Sequence, residues 1–157
     1  MHVTDPFKIM PAYTGEIAYF RLHGLSKQMY YYQYSDAELR KLKALIASYE
    51  KKCKDVYLLF NNLSMFEDAL RFIKYLAEGT FPKITAATGL ASIREVIEKT
   101  PYPATKSMLI KRLGWRLVEV EHGKQIRLEA LLTGLPSKTY ENVEKLIDDA
   151  KATLKII

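Results

Sequence analysis

"VYLLFNN", residues 56–62, is a run of apolar side chains that ends on two asparagines. Its β-branched and aromatic content, with the turn-forming Asn61 and Asn62 behind it, predicts a strand. A strand that is apolar at every position has no face for solvent. Parallel sheets covered by helices require that pattern. Upstream, "IAYFRLHG" (17–24) is a second such run, bounded by Gly15 and Gly24 and ending on Arg21 and His23. "HVTDPF" (2–7) is a shorter strand stopped by Pro6.

Helical signals separate the two long strands. "LSKQMYYYQY" (25–34) is a loop with four tyrosines, and "SDAE" (35–38) after it is a capping box. Ser35 accepts from the amide three residues on, while Glu38 reaches back. The helix so opened aligns Leu39, Leu42, Leu45, Ile46 and Tyr49 on one face. "SMFE" (64–67) spells a second capping box, whose helix aligns Phe66, Ala69, Leu70, Ile73 and Leu76 before Gly79 stops it. Strands alternating with helices pair in parallel through right-handed crossovers. In such sheets, sites form at the carboxyl ends of strands, where Arg21, His23, Asn61 and Asn62 fall.

Residues 81–91, "FPKITAATGLA", lack periodicity and read as a linker between a domain over 1–80 and a module over 92–157. The module opens with "ASIREVIEK", carrying a third capping box (Ser92, Glu95). A helix from about Thr105 to Gly114 and a hairpin around His122-Gly123 follow. A short helix over 128–133 and a last helix, aligning Tyr140, Val143, Leu146, Ile147, Ala150 and Leu154 on one face, complete it. Helices with one hairpin predict an α+β module of winged-helix type.

Composition narrows the functional classes. Hydrophobic residues make up 48% of the 157 and charged ones 27%, which excludes a disordered chain. The net charge of +6 is evenly spread: residues 1–85 and 86–157 each carry 12 basic and 9 acidic side chains. An even excess suits solubility better than a nucleic-acid face. The single Cys53 excludes an internal disulfide and a multi-cysteine metal site, and points to a reducing compartment. No run approaches the roughly 18 apolar residues of a membrane span. Asp5 and Lys8 stand where a secretory signal keeps its apolar stretch. A cytoplasmic protein without membrane contact is expected.

"DPF", "YFRLHG", "YYYQYSDAEL" and "VYLLFNN", in this order and spacing, resemble the C-terminal part of the YecE-like family, a TIM-barrel domain of unknown function. The resemblance covers about residues 3–78 and implies a barrel cleft, with no established reaction. Carried over residue by residue, it implies Asp5, Arg21, His23, Tyr30, Tyr34, Asn61 and Asn62 as cleft positions. A TIM barrel needs eight strand–helix units and about 250 residues. The expectation is therefore a partial TIM-barrel-like βαβα unit, half of a split barrel. A second chain supplying the N-terminal half, or a second copy in a homodimer, would complete it. "YPATKSMLI" followed by "LPSKTY" is similar to small domains with that spacing, which implies a separate module.

At the cleft, His23 is the candidate proton-transfer group and Arg21 the candidate anion clamp, for an anionic or polyhydroxylated small molecule. Alternatively Arg21 pairs with a carboxylate such as Asp5, and His23 satisfies backbone groups. Asn61 and Asn62 either orient a ligand or cap the turn before Ser64. The tyrosines either stack on a ligand or pack over the rim. His2, His23 and His122 are scattered, without His-x-x-Glu spacing, and supply no metal site. There is no Gly-rich phosphate loop, and no cofactor can be named. Cys53, among Lys51, Lys52 and Lys54, reads as structural. A contrary class is a non-enzymatic interaction protein, in which Lys106, Lys111, Arg112 and Arg116 of the module meet nucleic acid or a protein.

Overall fold

The computed structural model describes residues 3–154, so His2 lies outside the described residues. The chain is mixed α/β and divides into two compact units between Pro82 and Lys83.

In the first unit, β1 (Val3–Thr4), β2 (Ile17–Leu22) and β3 (Asp55–Phe60) form a parallel sheet in that order. Val3 pairs with Tyr19 and Tyr19 with Tyr57; Arg21 pairs with Leu59. Side chains alternate between the two faces. Ala18, Phe20, Leu22, Val56, Leu58 and Phe60 pack with Leu39, Leu42 and Ile46 of α1 (Asp36–Glu50) and Phe72 of α2 (Met65–Glu78). The opposite face carries Val3, Ile17, Tyr57 and Leu59, all exposed, and half-buried Tyr19, whose ring lies 6.2 Å from that of Tyr57. The expectation that "VYLLF" is covered on both faces is corrected: among the described residues, helices cover only one.

The cap of α1 is as expected. Ser35 Oγ accepts from the Glu38 amide at 3.3 Å, and Glu38 Oε2 accepts from the Ser35 amide at 2.8 Å. Glu38 Oε1 also accepts from the Tyr32 hydroxyl at 2.5 Å. The second box does not form. Ser64 has φ −95° and ψ 21°, makes no side-chain cap bond, and donates its hydroxyl to Glu67 Oε2 instead. The face expected to bury α2 is also wrong. Phe66 is 78% and Ile73 61% exposed, with Leu70 and Leu76 exposed beside them. Asp68, Arg71 and Phe72, on the opposite side of the helix, are buried. Two ionisable groups thus set this helix's rotation, because the partners they need lie on its inner side.

The second unit runs α3 (Leu90–Ile97), β4 (Ala104–Thr105), α4 (Lys106–Leu113), β5 (Leu117–Glu121), β6 (Lys124–Arg127), α5 (Leu128–Gly134), β7 (Thr139–Tyr140) and α6 (Val143–Leu154). Its core joins Ile93, Ile97, Leu109, Val118, Leu128, Leu132, Tyr140 and Leu146. The hairpin turns at His122-Gly123, where Gly123 takes φ 76°. Ser92 lies inside α3 rather than at its cap: its hydroxyl accepts from the Glu119 amide at 2.9 Å and lies 2.7 Å from that of Thr85. Glu95 accepts from the Ala86 amide, and Gly89 N–H donates to the Glu119 carbonyl, both at 2.8 Å. These bonds fasten part of the stretch read as a linker into the second unit. The antiparallel β4–β7 pair, Ala104 opposite Tyr140, was not expected from the sequence, and it corrects the reading of Tyr140 as part of the last helix, which begins at Val143. No helix among the described residues is long and apolar enough to cross a membrane.

One contrast follows from the two spelled capping boxes. Ser35→Ala should cost about 1 kcal/mol of stability in urea denaturation. Ser64→Ala should cost less, because no cap bond is removed.

Candidate functional site

The carboxyl ends of β1 and β2 meet through Asp5. Its buried carboxylate accepts from the Phe7 amide on Oδ1 and from the His23 amide on Oδ2, each at 3.1 Å. His23 Nδ1 stands 3.7 Å from the same Oδ2, and the His23 side chain is 24% exposed. The carboxylate considered for Arg21 is thus occupied by His23. Arg21 lies exposed on the uncovered face of the sheet, with no hydrogen bond or ion pair to the described residues.

The loop after His23 is built around buried tyrosines. Tyr34 is fully buried, stacks on Phe7 at 5.7 Å and accepts from the Gly24 amide at 2.8 Å. Burial, and then the charge of Asp5, push its hydroxyl above the ordinary tyrosine range. Gly24 has φ 92°, and a Cβ there would come 2.4 Å from Tyr32 Cβ, so no other residue fits without displacement. Tyr30 is accessible and sits at φ 73°, a left-handed conformation that is strained for a tyrosine. Hydrogen bonds from both strand ends hold it: its amide donates to the His23 carbonyl at 3.1 Å, and its carbonyl accepts from the Leu63 amide at 2.8 Å. Its ring meets the His23 ring edge-on at 5.8 Å.

At the end of β3 the two asparagines part. The half-buried Asn61 donates its amide to the Leu22 carbonyl at 2.8 Å, extending the ladder, and its side chain has no bond to the described residues. Asn62 is buried and donates Nδ2 to the Tyr32 carbonyl at 2.8 Å and to Asp68 Oδ2 at 2.7 Å. Asp68, fully buried, also accepts from the Tyr34 amide at 3.2 Å and from Arg71 at 3.4 Å. Arg71 donates further to the Tyr34 carbonyl at 2.6 Å and to Asp36. Sequence reasoning missed this buried group. Its only signal was an acid and a base three apart on one helix.

Of the seven positions implied by resemblance, then, Arg21, His23, Tyr30 and Asn61 reach the accessible edge. Asp5 lies directly behind His23, and Tyr34 and Asn62 are buried among other side chains. In the second unit, Lys106 Nζ donates to the Thr133 and Leu135 carbonyls at 2.7 and 2.6 Å, closing the end of α5. Lys111 and Arg112 are exposed on α4, and Arg116 lies over the Trp115 ring at 5.3 Å. Cys53 is buried, its thiol 3.7 Å from the Thr14 hydroxyl. Among the described residues there is no group of three His, Cys, Asp or Glu side chains able to hold a metal ion.

Burial pushes Asp68 up to about 7, against the opposing pull of Asn62, the Tyr34 amide and Arg71. The native state therefore favours the protonated acid. Stability tied to this group is complete below the ordinary aspartate value of 3.8 and is lost as pH rises through about 7. Between about pH 5 and about pH 8, wild type should lose stability relative to Asp68→Asn, by up to about 1.4 kcal/mol per pH unit. Urea midpoints for both proteins across that range provide the check.

Searches against curated proteins and against solved structures returned no match. Among family models, the one described as Protein of unknown function DUF72 matches residues 3–89. That span contains the whole sheet, the tyrosine loop and both strand-end motifs, the residues that carry the YecE-like resemblance. It is more than half of the 157 residues, and the chain belongs to that family.

Proposed function

We propose that the carboxyl edge of the parallel sheet binds a small anionic or polyhydroxylated ligand. One observation supports this above the others: polar groups without partners gather at neighbouring strand ends. The Arg21 guanidinium, the Asn61 side-chain amide and His23 Nε2 make no hydrogen bonds to the described residues, while behind them Asp5 accepts from the His23 backbone amide and Asn62 donates its side-chain amide to the Tyr32 carbonyl. In this reading the Arg21 guanidinium takes the anionic group by its planar fork. Asn61 bonds hydroxyls, and His23 exchanges a proton with the ligand. Calorimetric titration with a panel of sugar phosphates and sugar acids tests it. At least one should bind, and Arg21→Met should weaken that ligand tenfold or more. Absence of binding across the panel, or equal affinity in the variant, would overturn it.

The same reading requires cover for the bare face of the sheet. Apolar side chains stand open on that face and on the outer ridge of α2, at Tyr57, Leu59, Phe66, Leu70 and Ile73. Clustered exposed apolar side chains, here on two separate surfaces, mark interaction sites. Further α/β polypeptide, from another chain or a second copy, would supply strands beside β3 and a helix against α2, enclosing the strand-end site as a barrel does. In sedimentation velocity the chain expressed alone should self-associate, and Phe66→Glu with Ile73→Glu should reduce that association. A monodisperse monomer would count against it. The helices and the β5–β6 hairpin of the second unit support the alternative, a winged-helix-like module meeting nucleic acid or protein through Lys111, Arg112 and Arg116.

A further inference from the structure

We infer that Asp5 is the positioning residue of His23, fixing the imidazole so that Nδ1 carries the proton and Nε2 is left as a proton acceptor. This rests on the reading of His23 as the proton-transfer group of the strand-end site. It gives Asp5 a role other than ligand contact.

Asp5 is well placed to orient a neighbour because its own carboxylate is held. It is 7% exposed, and amides from two directions, Phe7 and His23, bind its two oxygens at 3.1 Å. His23 Nδ1 lies 3.7 Å from Oδ2, too far for a hydrogen bond and within ion-pair range. A lone pair on Nδ1 would face this fixed negative charge and be repelled, whereas an N–H there is attracted. The Tyr30 ring borders the same imidazole edge-on at 5.8 Å, so the histidine is confined on two sides. Tyr30 keeps a strained backbone to stand there, held by the His23 carbonyl and the Leu63 amide. Strain maintained by bonds from two strand ends is characteristic of functional sites.

Nε2, at the far end of the ring, has no partner among the described residues. A ligand hydroxyl or a water meeting Nε2 can surrender its proton there. The O–H bond breaks, its electron pair stays on oxygen, and an N–H bond forms on the imidazole. The positive charge created on the ring then faces Asp5, which holds it without itself taking the proton.

The tautomer of His23 tests this directly. Long-range proton–nitrogen correlation spectra of the full chain at about pH 9, above the ordinary histidine value of about 6.5, report which ring nitrogen carries the proton. His23→Gln assigns the signals. Wild type should show the Nδ1–H form, the reverse of the preference of free histidine. Asp5→Asn should move the population severalfold toward Nε2–H. His122, which is 92% exposed, should not respond to Asp5→Asn and serves as the internal reference. If Asp5→Asn fails to fold, the wild-type tautomer alone decides. An Nε2–H tautomer in wild type, or an unchanged tautomer in folded Asp5→Asn, overturns the assignment. No ligand enters this measurement, so its failure is separable from a failure of ligand binding at Arg21.

Discussion

Asp68 is the constraint on which the first unit depends. A fully buried carboxyl group must be met by hydrogen-bond partners, since a polar group left alone away from water costs several kcal/mol. Its donors come from three places: Asn62 after β3, the Tyr34 amide at the end of the tyrosine loop, and Arg71 on its own helix. Arg71 adds the Tyr34 carbonyl and Asp36 at the start of α1. The group therefore ties a strand end, a loop and two helices to one point. It also explains a helix whose largest apolar side chains face outward. To bring Asp68 and Arg71 to their partners, α2 must turn Phe66, Leu70 and Ile73 away from the sheet.

Much of the architecture was legible because it is local. The apolar runs of β2 and β3, the hairpin at His122-Gly123 and the cap at Ser35 are each decided by residues within a few positions of one another. What failed was settled at longer range. Ser64 and Ser92 belong to the same Ser-x-x-Glu pattern as Ser35, yet their hydroxyls bond the Glu67 carboxylate and the Glu119 amide instead of capping a helix amide, although α2 does begin after Ser64. The stripe on α2 is a correct reading of periodicity, overruled by Asp68 and Arg71, whose partners lie in other elements. The β4–β7 pair joins two-residue strands distant in sequence, and so short a strand has no period to detect.

The candidate site was legible in a different sense. Residue types named the strand ends, and family membership supports looking there. Neither could say which of the marked residues remain available. Asn61 and Asn62 are chemically identical neighbours, and one more step along the chain carries the second into the interior. Tyr30 and Tyr34 lie in the same loop, but one edge meets His23 while the other ring is enclosed by Phe7, Tyr32 and Phe60. The order of side chains in depth is a property of packing, and packing is what one sequence alone does not disclose.

The clasp at Tyr30 has a mechanical consequence. Because its amide hangs from the carbonyl of His23 and its carbonyl receives the amide of Leu63, the loop crosses from one strand terminus to the next as a rivet. With Gly24 closed against Tyr32, little slack is left between the rivet and the sheet. If the edge binds a ligand as proposed, that molecule would meet a mould already set, with the entropy of ordering the loop spent in folding rather than on arrival. Such an edge would discriminate by shape, rejecting what does not fit in place of bending to accept it.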